Sequence, residues 1–475
     1  MTTHATTPQP PRGIETRLGL QPEAAWMNYV LRNALLCDGT TIVPHTIPVW
    51  SPRLGKFVDM IFGSVDGGNS SNKLAFIGEP AAIQLSTGEK RLAYHMKLTH
   101  VPTAYQARQK IRHGEGKVSW RITNGKNPEY FWMGSHVVAE GDALPNGSTL
   151  QRMAHKRYVP FTLATIIDGL IAAGHTAEII DATSGKSRID EKHLALAYGV
   201  RDDEIESVGG KQFMEPTLEQ SLNDLARTWI VERYDPDGTP HTWHLTIHFV
   251  FPAAQTLGSV FAYLFTLPGG YALSKKKILV FDGGQKDLQK LLVSLQGGLN
   301  ATGGTIGNGA VLLTNALMEA AKDFSLQLTP AQAHQALKEG VVLLGGDETP
   351  LHQIIEPGVR DSQVESIIGA MMSPIDIAAD AHLLFTGGLA CIAQKEILEM
   401  IGHLKRTRQQ FYLCDCQIAA SMNAIGLLAY SLYQLIKKKN ELDQSPEAVI
   451  VQNRLREQGT PPVAPASGSS KYVGR

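Results

Sequence analysis

The chain is short of cysteine, of basic runs and of any uninterrupted apolar stretch long enough to cross a bilayer. Four cysteines in 475 residues (Cys37, Cys391, Cys414 and Cys416) are too few for a disulfide framework. Cys414-Asp415-Cys416 lacks both the two-residue spacer and the second pair of a zinc knuckle, so two partly buried thiols are expected there. No basic run exceeds Lys275-Lys276-Lys277 or Lys437-Lys438-Lys439, and the net charge is -1. The electrostatic footprint of a direct DNA binder is therefore missing, and any nucleic-acid role is expected to run through a partner. The N-terminus shows no charged segment followed by an apolar one, which points to a cytoplasmic chain. The most apolar stretch, Leu245 to Leu267, is interrupted by His248, Pro252 and Gln255. It fits a buried strand followed by a buried helix, and no membrane association is expected.

What is present is an ordinary globular composition, spread over a chain too long for one core. The Thr- and Pro-rich start and the Pro-, Gly- and Ser-rich end read as flexible tails. The expected division is a tail at 1–20, a first domain with an N-terminal addition at 21–270, a second domain at 271–440 and a tail at 441–475. Leu267-Pro268-Gly269-Gly270 marks the break between the two domains. In the first, a strand, a glycine-rich turn and a second strand between Lys56 and Gly78 form a hairpin with its tip at Gly67-Gly68-Asn69. Helical periods follow at Val159–Ala173 and Thr217–Arg233, then a strand at Ile247–Phe251 and a helix at Gln255–Leu264. The second half repeats the plan. Strand Ile278–Phe281 precedes helices at Ala310–Ala321 and Pro330–Glu339, and strand Leu383–Phe385 precedes helices at Ala390–His403 and Ala419–Lys438. Strands alternating with helices, twice over, indicate an α/β fold.

Three glycine turns, each hanging on an apolar strand, carry the chemistry. The first is Asp66-Gly67-Gly68-Asn69-Ser70-Ser71-Asn72-Lys73. Asp66 and Lys73 flank a tight turn, where a carboxylate can hold magnesium through water while backbone N–H groups and the ammonium neutralise phosphate oxygens. The second is Asp282-Gly283-Gly284-Gln285, with Asp282 leaving a buried strand end, as in many α/β nucleotide sites. The third, Thr386-Gly387-Gly388-Leu389-Ala390, opens a helix after its strand, so its N–H groups and positive dipole end can face a ligand. Turns from separate parts of the chain can wrap one nucleotide from different sides.

In order and content these segments resemble the actin and sugar-kinase superfamily of ATPases, specifically the bacterial and plasmid actin-like proteins of the ParM type. Two further segments join them: Pro252-Ala253-Ala254-Gln255 at a helix start, and Asn423-Ala424-Ile425-Gly426 in the closing helix. The resemblance spans about Lys56 to Lys438. It implies an actin-like, ribonuclease H-like two-domain fold with a nucleotide cleft between the halves, and an ATP hydrolase using Mg2+, with GTP undecided against ATP. It implies phosphate contacts from Gly67, Gly68, Asn69, Ser70, Ser71, Asn72, Lys73, Gly283, Gly284 and Gln285, and adenosine packing on Thr386, Gly387, Gly388 and Leu389. Asp66 and Asp282 would serve magnesium, Gln255 would orient the attacking water, and Asp282 would polarise it. One departure is that the second turn reaches Asp287 two residues early, so that Lys286 offers a charge where the family has hydroxyls.

The resemblance further implies a homopolymer filament that assembles with ATP and falls apart after hydrolysis, with an adaptor protein linking it to DNA for plasmid segregation or another cytoskeletal role. The competing readings are a metabolic phosphotransferase of the same superfamily and a non-polymerising nucleotide-dependent scaffold. Gly303-Gly304-Thr305-Ile306-Gly307-Asn308-Gly309 imitates a dinucleotide fingerprint but lacks a strand immediately before it, so a loop or close-packing segment is expected. His241, His244 and His248 lack the acidic or thiol ligands that would complete a metal set, and a hydrogen-bonded strand face is expected.

Overall fold

The computed structural model describes residues 46–457 except for 69–70, 85–89, 112–116, 124–127, 135–141, 145–146, 181–186, 267–275, 297–298, 345, 408–409, 415 and 417. In chain order the first half runs β1 (Thr46–Ser51), β2 (Lys56–Gly67), β3 (Ser71–Gln84), β4 (Lys90–Pro102), β5 (Ala104–Arg108), β6 (Ser119–Thr123), β7 (Glu129–Met133), β8 (Asp142–Ala143), α1 (Thr149–Ala154) and α2 (Tyr158–Ala172). It continues through β9 (Glu178–Ile180), β10 (Ser187–Ile189), β11 (Lys192–Val200), β12 (Ile205–Val208), β13 (Lys211–Met214), α3 (Pro216–Leu225), β14 (Thr228–Tyr234), β15 (Pro240–Ala254) and α4 (Gln255–Thr266). The second half has β16 (Ile278–Gly283), β17 (Asp287–Ser294), β18 (Asn300–Asn308), α5 (Val311–Lys322), α6 (Pro330–Glu339), β19 (Val341–Leu344), β20 (Asp347–Pro350) and α7 (Pro357–Ile377). It ends with β21 (His382–Thr386), α8 (Gly387–Ile392), α9 (Gln394–His403), β22 (Phe411–Leu413), α10 (Met422–Leu442) and α11 (Pro446–Glu457).

Each half is built on the same five strands. β2 is apolar at consecutive positions and buried from Met60 to Gly67, and β11 is buried throughout. Continuous apolar runs of this kind are central strands covered on both faces. β11 lies parallel to β2 and to β15, while β2, β3 and β4 form an antiparallel meander, giving the order β4-β3-β2-β11-β15. The second sheet repeats it as β18-β17-β16-β21-β22, with β16, β21 and β22 parallel and β16, β17 and β18 antiparallel. The first sheet continues past β15 through β14, β6, β7, β5 and β8, a second antiparallel run stitched by Trp120, Phe131 and Trp229 in the core.

Several expectations are corrected. Thr217–Arg233 is not one helix: α3 stops at Leu225, and Thr228-Trp229-Ile230-Val231 alternates buried and less buried side chains as β14 against β15. The glycine-rich 303–309 stretch is not a loop but lies mainly in strand β18, held in register by β17 despite the poor strand propensity of glycine. The close packing expected as the alternative is present at Gly303 and Gly309, where a Cβ would lie 2.7 Å from Leu291 and 2.2 Å from the Gly284 carbonyl oxygen. Ala390–His403 is broken at Ala393 into α8 and α9. The stretch read as a C-terminal tail contains α11, with 458–475 outside the described residues, as are 1–45 and the break at 267–270. The two thiols differ, Cys414 being buried and Cys416 exposed. Nor do the sheets divide the chain cleanly, because the β12–β13 hairpin of the first half adds to the outer edge of the second sheet beside β18. Among the described residues, 419–442 is the one helical stretch long and apolar enough to cross a membrane, and 83% of its apolar 18-residue window is buried inside the molecule, as expected of a core helix.

Helices α4 and α10 cross between the two sheets, α10 packing on β2 and β11 and α4 on β16 and β17. They cross at backbone contact. A Cβ at Gly258 would lie 2.2 Å from the Asn423 carbonyl oxygen, and one at Gly426 only 1.6 Å from the Gly258 carbonyl oxygen. Gly426→Ala is therefore expected to destabilise the protein by at least about 2 kcal/mol, since backbone on both sides leaves nothing to yield. Gly304→Ala, where a Cβ meets nothing within 4 Å, serves as the control. Urea midpoints of the two variants check this, and equal midpoints would remove the crossing as a constraint.

Candidate functional site

The carboxyl ends of the parallel strands converge between the two sheets. Asp66, one residue from the end of β2, is fully buried, and the β2–β3 register sets it directly opposite Lys73. Lys73 Nζ stands 3.4 Å from Asp66 Oδ2. Asp66 Oδ1, in contrast, is buried with no hydrogen-bond partner, as is Asn72 Oδ1, while Asn72 Nδ2 lies 3.5 Å from Thr165 Oγ1. A buried carboxylate oxygen left unpaired is costly, and a cation or its water shell is the ligand chemistry that would satisfy it. The turn itself is closed by the Gly68 amide, which donates to the carbonyls of Asp66 and Ser71 at 3.1 Å each, so that amide is committed to the hairpin. Arg152 donates to the Gly67 carbonyl from behind, beside Tyr158 and Tyr198, whose hydroxyls are 3.1 Å apart. Asn69 and Ser70 lie outside the described residues.

Asp282 occupies the same place on the facing sheet, near the end of β16. Asn423 Nδ2 donates to its Oδ2 at 2.8 Å and the Thr386 hydroxyl to its Oδ1 at 3.3 Å. The Ser259 hydroxyl joins this network, 2.6 Å from Asn423 Oδ1 and 3.1 Å from Thr386 Oγ1. Burial raises the Asp282 carboxyl above its ordinary range, and the nearby Asp66 adds to this, whereas Lys73 and the bonds from Asn423 and Thr386 oppose it. Thr386 and Gly387 turn the chain from β21 into α8. Gly387 has φ +80°, and a Cβ there would fall 2.4 Å from Asp282 Oδ1, so only glycine fits. Gly388 follows in α8, and Leu389 is buried over Gly283, whose Cβ would meet it at 2.2 Å.

The second turn is more committed to the fold than a free phosphate loop would be. The Gly284 amide donates to the Asp287 carbonyl at 3.0 Å. The carbonyls of Gly284, Gln285 and Lys286 accept from the amides of Ala310, Val311 and Gly309 at the start of α5, at 3.0, 2.6 and 2.7 Å. Gln255 is the first residue of α4, directly after β15, and is 8% exposed. The structure thus brings Asp66, Lys73, Asn72, Asp282, Thr386 and Gln255 to the converging strand ends. The histidines stand apart: His241 lies 3.0 Å from Asp235, and His248 Nε2 lies 3.1 Å from His193 Nδ1. No group of three or more His, Cys, Asp or Glu residues forms a metal set among the described residues.

Sequence reasoning missed Asp202. It follows β11, the strand between β2 and β15, and its carboxyl accepts from the Thr256 amide at 3.1 Å and from the Thr256 hydroxyl. Its own amide donates to Gln289 Oε1 of β17 at 3.3 Å. The signal was available: an apolar run ends in Arg201-Asp202-Asp203, an acid at a strand end like Asp66 and Asp282. Burial is the main cause that pushes the Asp202 carboxyl up to about 8, with Asp282 and Asp203 contributing and the Thr256 bonds opposing.

A carboxyl raised in the folded state takes up a proton on folding. Its stabilisation is complete below the unfolded value near 4, falls as pH rises and is gone above about 8, with a slope of up to about 1.4 kcal/mol per pH unit. Asp202→Asn keeps a neutral donor and acceptor at the same place. The stability of wild type relative to this variant is expected to drop by on the order of 2 kcal/mol from about pH 5 to pH 7 in urea titrations. A difference independent of pH would mean that Asp202 is ionised in the fold.

No protein-family model matches the chain, and no curated protein matches it. Solved structures do. Ta0583, an archaeal actin homologue, aligns at 12% identity and TM-score 0.53, covering 78% of this chain and 99% of its own. Bacillus thuringiensis ParM with ATP aligns at 13% identity and TM-score 0.55, covering 79% and 99%. The apo pSK41 ParM protein aligns at 16% identity and TM-score 0.50, covering 81% and 99%. The duplicated five-strand sheets, the crossing helices between them and these alignments together give the chain the two-lobed actin-like fold of the ParM and archaeal actin-homologue structures.

Proposed function

We infer that the chain is a cytoplasmic actin-like ATPase that binds a magnesium nucleotide between its lobes and assembles with ATP into filaments. The observation that carries this reading is the Asp66–Lys73 hairpin facing the Asp282, Thr386 and Gly387 corner, with the buried Asp66 Oδ1 left unpaired. Support comes from the neighbouring fold, since structures of Bacillus thuringiensis ParM contain ATP or AMPPNP. A division at 270/271 is part of this reading, with two exchanges across it: the β12–β13 hairpin extends the second sheet, and α10 packs on β2 and β11 of the first.

Phosphoryl transfer needs mainly positioning and charge neutralisation. Lys73, with hairpin amides other than that of Gly68, would neutralise the β- and γ-phosphates, with Asp66 holding the hydrated magnesium, which when bound spreads the charge of the transferred group. Gln255 would orient the attacking water. Asp282, with both oxygens held by the protein and its proton affinity raised, suits a base that polarises this water better than a direct metal ligand. Thr386 to Leu389 would pack against adenosine. Surfaces beyond the site decide whether the filament moves plasmid DNA through an adaptor or serves another cytoskeletal role, and the base-binding corner at Thr386 to Leu389 decides between ATP and GTP.

Light scattering and sedimentation with magnesium and ATP, ADP or no nucleotide test the reading. ATP-dependent pelleting that fades as phosphate appears is expected. Nucleotide binding without assembly over a wide concentration range would favour the phosphotransferase or scaffold reading, and no binding would end all three. Asp66→Asn is expected to weaken binding of magnesium ATP by roughly 10-fold or more while changing metal-free ATP binding much less, because a charge-assisted contact to magnesium is worth about 1.5–3 kcal/mol. Calorimetry with and without EDTA reads the difference, and equal losses in both conditions would assign Asp66 to the fold instead.

A further inference from the structure

Asp202 stands outside every role assigned above, yet it is tied to both lobes. Through its carboxyl it holds Thr256, the second residue of α4 and the immediate neighbour of Gln255. Its amide is held by Gln289 on β17 in the second sheet. The flanking residues tie the same segment to the same sheet. Arg201 reaches Thr305 Oγ1 at 3.0 Å and Asp287 Oδ2 at 3.8 Å, Ser207 pairs with Ala301, and the amides of Gly209 and Gly210 donate to Asn300 Oδ1 and the Leu299 carbonyl at 2.9 Å each. A Cβ at Gly303 would lie 2.8 Å from Asp202 Cβ, so β18 is pressed against this residue from the other side.

We propose that Asp202 is a positioning residue that fixes the first turn of α4, and with it Gln255, relative to the second lobe, so that the orientation of Gln255 follows how the lobes are set against each other. The physical route is short. The first amides of a helix have no partner within the helix, and Asp202 supplies one for Thr256 while accepting its hydroxyl as well. Those two bonds determine where the backbone of Gln255 begins. Because the Asp202 amide is itself held by Gln289, a movement of β17 reaches Gln255 through two intervening residues, Asp202 and Thr256. Asp202 would touch neither phosphate nor water. This proposal rests on the ATPase reading and deepens it by adding regulation to the same site.

The test compares Asp202→Ala, Asp202→Asn, Gln289→Ala, Gln255→Ala and the double variant Asp202→Ala/Gln255→Ala in steady-state ATP hydrolysis and nucleotide binding. Asp202→Ala is expected to lower kcat by about 10- to 100-fold with little change in nucleotide Kd, since small misplacements of a positioned group cost rates of this order. Asp202→Asn, whose Oδ1 can still accept from the Thr256 amide while its Nδ2 donates to the Thr256 hydroxyl oxygen, should recover most of the rate. The double variant should be no slower than Gln255→Ala alone, because a residue that acts through Gln255 has nothing left to position. Multiplicative losses in the double variant, or equal losses of kcat and affinity, would overturn the proposal. Amide hydrogen exchange supplies a second readout independent of activity: Gln289→Ala should speed exchange at Thr256 and the first turn of α4 while leaving the middle of α10 protected. Unchanged exchange there would also overturn it. A wild-type chain that binds no nucleotide would instead defeat the ATPase reading, while the exchange result would still report whether Asp202 couples β17 to α4.

Discussion

Where α4 crosses α10 the two backbones touch, and the polar network at the floor of the cleft exists only because they do. Asn423 lies under Gly258, and Ser259, the next residue of α4, reaches Asn423 Oδ1 at 2.6 Å. Asn423 is thereby oriented to donate to Asp282, which Thr386 meets from the other side. Each of these side chains is short. Separating the helices by one methyl group would stretch the Ser259–Asn423–Asp282 contacts beyond hydrogen-bonding distance and leave the buried Asp282 with Thr386 alone. A buried acid that loses a donor costs about 1–3 kcal/mol, so the glycine contact supports the acid network directly.

Duplication explains why the candidate residues meet. The first strand of each five-strand set carries an aspartate near its carboxyl end, Asp66 on β2 and Asp282 on β16. The fourth strand of each set leads into a loop that closes on the cleft, through Asp202 after β11 and through Thr386 and Gly387 after β21. Ligands of α/β sheets gather at such carboxyl edges. The two halves fill equivalent places differently, however. Asp66 keeps one oxygen unpaired beside Lys73, while Asp282 has both oxygens met by protein donors. Asp202 and Asp282 are pushed towards the neutral form by burial, and each feels the acids around it. A cleft of this kind favours arrivals that bring positive charge with their phosphates, as a magnesium nucleotide does.

The sequence made the frame legible and left the connections obscure. Asp66, Asp282 and Thr386 stood out because each ends an apolar run at a glycine turn, a local pattern that tertiary structure did not need to complete. β11 ends in an acid too, but Arg201-Asp202-Asp203 has no glycine behind it, and the bonds that give Asp202 its place come from Thr256 and Gln289, more than fifty residues away. β14 was hidden for a related reason: its helix-like period continues from α3, and only pairing with β15 and β6 decides for a strand. The glycines of β18 likewise signal a turn locally, and the ladder with β17 overrides them. Helix boundaries at Pro330–Glu339 needed no tertiary help, since Thr329 with Gln332 forms a capping box and Gly340 ends the helix at φ +76°.

Among the described residues, two of the connections between the lobes differ in strength, and that difference bears on how the cleft can work. The crossing of α4 and α10 is backbone against backbone within the main core, and it resists separation. The 201–210 segment is a tie of another kind, made of single contacts to β17 and β18 at a sheet edge. The ion pair that crosses to β17, Arg201 with Asp287, is 3.8 Å long with side chains 18% and 14% exposed, and so long a pair within reach of water contributes about 1 kcal/mol or less. The backbone contacts of Ser207 and Gly210 add roughly 1 kcal/mol apiece. Releasing the tie therefore costs on the order of a few kcal/mol, a size that thermal motion populates at the level of a minor state. Asp202 lies where the weak tie meets the strong one, since it joins Gln289 to the first turn of the crossing helix. A lobe movement that strains the tie is thus felt at Gln255 before it is felt at the crossing, which places the most deformable link of the cleft next to the residue assigned to the attacking water.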